Sequence, residues 1–148
     1  MIINKLIYLS GFITRYINFK YFYNFNGIIT LFVSKKKIVK IKLNSDTNFS
    51  FLLKDPYYNR LIYPKYKYEP EIEFLLQKLK KINFLFMDVG ANFGLWSLFA
   101  AKINVNAKVY SFEPVTISYN NFVENIKLNN TNNIIPNKFG LSNKNEEL

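Results

Sequence analysis

One stretch constrains the fold of this chain more than any other. Phe84-Leu85-Phe86-Met87-Asp88-Val89 runs into Gly90-Ala91-Asn92-Phe93-Gly94 and then into Leu95-Trp96-Ser97-Leu98-Phe99-Ala100-Ala101-Lys102. The apolar run reads as a buried strand ending in an acid, the glycine-bearing segment as a turn, and the last segment as a helix. Glycines let backbone approach a ligand, and a helix that begins there presents N–H groups with no partner inside the helix. The next apolar run, Lys108 to Phe112, ends at Glu113, nineteen residues after Gly94. An acid at the end of that second strand can accept hydroxyl protons from a ribose. Together these features read as a binder of a nucleoside-type cofactor.

The glycine spacing separates two cofactor classes. The dinucleotide fingerprint has glycines at the first, third and sixth positions of its loop. Here Gly90 and Gly94 hold the first and fifth positions, Asn92 the third, and Asp88 precedes the first glycine by two residues. Asp88-Val89-Gly90-Ala91-Asn92-Phe93-Gly94, Phe112-Glu113-Pro114, Glu124-Asn125-Ile126-Lys127-Leu128-Asn129 and the approach Tyr68-Glu69-Pro70-Glu71 together resemble the FkbM-type methyltransferases. That family has Asn at the centre of the loop, as Asn92 does here. The resemblance covers roughly residues 65 to 143.

What the resemblance implies is a Rossmann-like class I methyltransferase fold of α/β type and an enzyme that uses S-adenosyl-L-methionine (SAM). Such enzymes move the methyl group onto a hydroxyl, usually of a sugar on a glycan, a glycolipid or a natural product. By the same resemblance Asp88 and Gly90 border the methionine part of SAM, Ala91, Asn92 and Gly94 line the loop, and Glu113 holds the ribose. The competing reading of Asp88 and Gly90 is an ordinary tight turn of an α/β protein.

Composition excludes other chemistries. The 148 residues contain no Cys and no His, which removes disulfides, a thiol nucleophile, a His general base and His-based metal sites. No metal ligand set is expected. The formal charge is +10, and its distribution is uneven. Residues 1–82 carry fifteen Lys or Arg against five acids, while residues 83–148 carry five of each. Lys35, Lys36, Lys37, Lys40 and Lys42 form the densest run, which would attract an anionic membrane surface or a phosphate-linked glycan; nucleic acid is the less favoured partner. The competing reading is a solvated surface.

Two parts are expected: residues 1–67, a basic and aromatic extension, and residues 68–148, the cofactor-binding part. Within 1–34 the apolar residues make neither a membrane span nor a secretory signal, since the uncharged run Tyr21 to Ser34 is short and no Ala precedes Ala91. A cytoplasmic location follows as the expectation, with this segment either lying on a membrane surface or packed on the rest. Residues 36–53 read as a β-hairpin about Asn44-Ser45-Asp46-Thr47-Asn48, and Lys54 to Lys67 as a loop. A helix beginning at Pro70, with Ile72, Leu75, Leu76 and Leu79 as its stripe, is expected to pack on the sheet. After Pro114 a second helix presents Tyr119, Phe122, Val123 and Ile126, capped by Thr116 or a neighbour. A third strand follows over 133–139, weakened by Pro136. Strands alternating with helices imply parallel βαβ units, each about thirty residues long, so Phe84 to Leu148 accommodates three strands. The resembled fold has seven. The chain therefore reads as a fragment holding the cofactor half, the alternative being a complete short protein that retains only that half, and no residue is singled out for removing the acceptor's proton. The rivals are an NAD-type Rossmann oxidoreductase fragment and a non-enzymatic basic adaptor. Acceptor and oligomeric state are not encoded in any motif present.

Overall fold

The structure, a computed structural model, describes residues 37–63 and 66–144. The expectations for residues 1–34, and for Lys35 and Lys36, lie outside the described residues. The chain divides into two compact units. One contains Phe51–Tyr68 and the segment ending at Ile41; the other contains Lys42–Ser50 and Glu69–Leu148.

The hairpin is present as a two-stranded sheet of β1 (Ile38–Lys42) and β2 (Asn48–Leu52). Its turn is set by local chemistry: the Asn44 side chain accepts the Asp46 N–H at 3.1 Å, and the Leu43 N–H donates to the Thr47 carbonyl at 2.9 Å. Phe49, Ser50 and Phe51 are all buried, as is Leu53, so β2 is enclosed on both faces instead of alternating as a half-covered strand would. The expected loop after Lys54 contains a 3₁₀ helix, Tyr58–Ile62. Asp55 starts it by accepting the N–H groups of Tyr57 and Tyr58 at 2.9 and 2.8 Å. Tyr58 and Tyr63 are buried there, whereas Tyr57 is exposed.

The second unit carries α1 (Pro70–Leu79), β3 (Leu85–Val89), α2 (Leu95–Ile103), β4 (Lys108–Phe112), α3 (Thr116–Leu128) and β5 (Ile134–Asn137). The three strands form a parallel sheet in the order β3-β4-β5. The fold class read from the sequence, an α/β partial parallel sheet, is the one observed. Helix α2 lies over the face that carries Asp88, Val109, Ser111 and Ile134, and Ala100 and Ala101 allow its close approach. Leu98, Val109 and Phe122 are fully enclosed at the centre of this layer.

Helix α1 departs from expectation. It packs against α2 rather than the sheet, and within its apolar stripe Leu76 alone is buried while Leu75 is 58% exposed. A helix resting on another helix buries a narrower seam than one laid on a sheet, so the stripe is only partly used.

Helix α3 is anchored by amides as well as by Phe122. Asn125 is fully buried: its Oδ1 accepts the Ser50 N–H at 2.8 Å and the Ser50 hydroxyl at 2.6 Å, and its Nδ2 donates to the carbonyls of Ser50 (2.8 Å) and Phe93 (2.9 Å). One turn on, Asn129 accepts the Asn48 N–H at 2.8 Å and donates to the Asn48 carbonyl at 2.7 Å. Four residues of helix rise about 6 Å and two residues of strand about 6.6 Å. Asn125 and Asn129 therefore meet alternate residues of β2 and serve it as a substitute neighbouring strand.

Candidate functional site

The register of β3 on β4 aligns Asp88 with Ser111 and Val89 with Phe112, so both strands end at one level. The chain then bends: the N–H groups of Gly90 and Ala91 both donate to the Phe112 carbonyl, at 2.9 and 3.0 Å. Three residues of the loop have left-handed backbone, Gly90 (φ 80°), Asn92 (φ 51°) and Gly94 (φ 81°). Asn is among the few side chains that tolerate this conformation, which accounts for its place at the loop centre.

The two glycines answer to different needs. A Cβ on Gly90 would meet nothing within 4 Å. A Cβ on Gly94 would lie 2.0 Å from the Phe122 ring. Gly94 is thus required by the packing of α3 beneath the loop, while Gly90 leaves open space above it.

Glu113, buried just past the end of β4, braces the loop. Its Oε2 accepts the Asn92 N–H and its Oε1 the Val115 N–H, each at 2.8 Å, so one carboxylate links the loop to the start of α3. Val115 caps α3 through backbone geometry alone, and Thr116 is the first helical residue. Each Glu113 oxygen retains acceptor capacity beyond these bonds.

Asp88 is tied to the beginning of α2. It accepts from the Ser97 hydroxyl and backbone N–H, and the Ser97 oxygen lies 2.7 Å from the Ser111 hydroxyl. Since Ser97 gives its proton to the carboxylate, Ser111 is the donor in that second contact. Burial raises the Asp88 pKa above its ordinary value near 3.8; the Ser97 bonds oppose the rise, and the negative charges of Glu69 and Glu113 add to it. Between 3.8 and the raised value the folded form keeps a proton that the unfolded chain has released. Asp88 contributes stability that is fully present below pH 3.8 and is lost as pH rises through the raised value. Urea unfolding across pH 4–7 is expected to show wild-type stability falling relative to Asp88→Asn as pH rises. Parallel curves for the two proteins would remove Asp88 as the cause.

Glu69 also reaches this region. It holds a left-handed backbone (φ 44°) at the start of α1, and its Oε2 accepts the Trp96 indole N–H at 2.6 Å. Ser97, Ser111 and Trp96 carried no signal beyond their place in the helix and strand. Among the described residues, no group of His, Cys, Asp and Glu is arranged to hold a metal ion.

Comparison with solved structures finds the same fold. The structure of TYW2 from P. horikoshii in complex with MeSAdo superposes with a TM-score of 0.51 at 19% identity, over 74% of this chain and 38% of that one. The SAM-dependent methyltransferase from Agrobacterium tumefaciens gives 0.52 at 14% identity, over 72% of this chain and 34% of that one. The fold is the Rossmann-like fold of class I methyltransferases. No known family and no curated protein sequence matches the chain. It spans less than two-fifths of the length of either structure.

Proposed function

We propose that this chain carries the cofactor-binding part of a SAM-dependent methyltransferase of FkbM type. The observation that carries the reading is Gly90: a left-handed glycine with open space above it, at the carboxyl end of β3, in a loop braced by the buried acid that ends β4. Open α/β sheets bind ligands at that end of their strands. The shared fold of the P. horikoshii and Agrobacterium tumefaciens proteins supports the same cofactor.

In this reading the backbone at Gly90, Ala91 and Asn92 lies against SAM and Gly94 sets the loop's rear wall. The remaining lone pairs of Glu113 accept from the ribose hydroxyls, and Asp88 faces the cationic methionine end. SAM, when bound, supplies an electrophilic methyl group. The acceptor is a sugar hydroxyl on a glycan, glycolipid or small natural product. Its oxygen must be held in line with the methyl and relieved of a proton. Asp88 is committed to Ser97 and Glu113 to the N–H groups of Asn92 and Val115, so neither is free for that task. Residues 1–148 alone are therefore expected to bind SAM without turning it over.

Calorimetry with SAM and with NAD tests the cofactor. SAM binding without NAD binding is expected, and the reverse would return the loop to the oxidoreductase class. Incubation with labelled SAM and a glycan panel tests the second half, since turnover by this chain would show that a base is present. For the basic run we propose an anionic membrane surface as partner and a cytoplasmic, peripheral location. Among the described residues, no helix is long and apolar enough to cross a membrane. Binding to acidic vesicles is expected to fall steeply with salt and with Lys35–Lys37 replaced by Gln. Equal binding to neutral vesicles would leave only apolar contact.

A further inference from the structure

Asp88 receives more donors than helix capping asks for. Helix α2 starts behind Gly94, which has no side chain to cap it, so the Ser97 N–H is one of the amides the helix leaves without an internal partner. Asp88, near the end of β3, accepts that N–H and also accepts the Ser97 hydroxyl on Oδ2. Behind Ser97 stands Ser111, the register partner of Asp88 on β4, its hydroxyl oxygen 2.7 Å from that of Ser97. Both serines are fully buried.

The two hydroxyls run in one direction. Run toward Asp88, they give each hydroxyl proton an acceptor. Run the other way, they would leave the Ser111 proton with no acceptor among the described residues, at a position without solvent exposure. A hydroxyl that itself accepts a second hydroxyl is polarised, and it bonds a charged acceptor more strongly than a neutral one. A neutral side-chain oxygen would suffice for the helix amide. The serine pair adds two things beyond that: it fixes the orientation of the carboxylate, and it favours its anionic form.

The surroundings push the other way. Burial disfavours the charge on Asp88, and so do the negative charges of Glu69 at the start of α1 and Glu113 past the end of β4. Among the described residues, no Lys or Arg forms an ion pair with any of these three acids. The Ser97 hydroxyl and N–H are what oppose that push. A strand-end acid serving only the fold would be relieved by a neutral amide, whereas one that meets a cationic ligand needs its charge held in place.

We propose that Ser97, backed by Ser111, is a positioning residue that presents the Asp88 carboxylate to the ammonium group at the methionine end of the cofactor. The proposal rests on the reading of the Gly90–Gly94 loop as a SAM site and deepens it. Ser97 acts through Asp88 alone, so its effect is confined to ligands that carry the ammonium. Ser111 acts through Ser97 and has the same selectivity with a smaller effect.

The test is calorimetry on the full chain with two probes, SAM and 5′-methylthioadenosine, which keeps the adenosine and the sulfur but has no amino-acid end. Ser97→Ala is expected to weaken SAM about tenfold at pH 7 and to leave 5′-methylthioadenosine unchanged. Ser111→Ala should show the same contrast with a smaller loss. In an Asp88→Asn background, Ser97→Ala should cost SAM nothing further. The pH profile gives a second readout. SAM needs the ionised carboxylate, so its binding rises with pH through the raised Asp88 value, and removing the Ser97 bond moves that rise to higher pH. Equal losses for both ligands, an unmoved pH profile, or an undiminished Ser97→Ala loss beside Asp88→Asn would each overturn the proposal and leave Ser97 a support of the loop. A wild-type chain that binds neither probe would instead bring down the cofactor reading itself, and this proposal with it, so the two failures are distinguishable.

Discussion

Gly94→Ala is expected to destabilise the chain by about 2–5 kcal/mol. Left-handed backbone costs a non-glycine residue roughly 1–2 kcal/mol, and overpacking a filled core adds about 1–3 kcal/mol. The obstacle is rigid, because the Phe122 ring that the new methyl would strike is fully buried. Total stabilities of single domains are about 5–15 kcal/mol, so the variant could lose most of its folded population at ambient temperature. Gly90→Ala meets the same backbone cost without the collision and should lose only about 1–2 kcal/mol. Urea unfolding of the two variants side by side measures the difference. Equal losses would mean that Phe122 yields, and that the loop does not depend on α3 for its rear wall.

Glu113→Ala is expected to weaken SAM binding by roughly 1.5–3 kcal/mol, about a ten- to 150-fold rise in Kd. Two effects act together. The variant loses the acceptors that the proposed site offers to the ribose, and it leaves the N–H groups of Asn92 and Val115 without the carboxylate that joins them. Hydrogen exchange separates these effects, because faster exchange at both amides reports the loop and not the ligand. Glu113→Gln keeps one oxygen acceptor and should recover part of each. Unchanged affinity in the Ala variant would reduce Glu113 to a structural brace.

The parts of the site legible in the sequence were those whose chemistry is tied to spacing. Asp88, Gly90 and Glu113 stand at strand ends, where residue type and interval both carry meaning, and the sheet that holds them has the expected order of elements. Gly94 was legible as a glycine but not for its reason, since Phe122 is distant in sequence and reaches it only through the crossover. Asn125 was legible only as part of the Glu124–Asn129 motif. Its burial was not, because only the arrival of β2 beside it turns the amide into a fully enclosed connector. Leu75 failed in the opposite sense: periodicity identified the stripe on α1 but not the width of the partner that would cover it.

The Asn125 amide also sets how short this protein can be made. Its four bonds span the cofactor loop and the tip of the hairpin, and that tip belongs to the same compact unit as the sheet although it comes far earlier in the chain. A truncation that began at residue 68 would keep every strand of the parallel sheet, yet strip Ser50 from beneath α3. The interior would then hold a carboxamide facing a void, with its oxygen and one N–H unanswered at roughly 1–3 kcal/mol for each group. A piece that keeps these bonds must therefore begin upstream of Ser50, and the hairpin tip serves as the floor on which α3 rests.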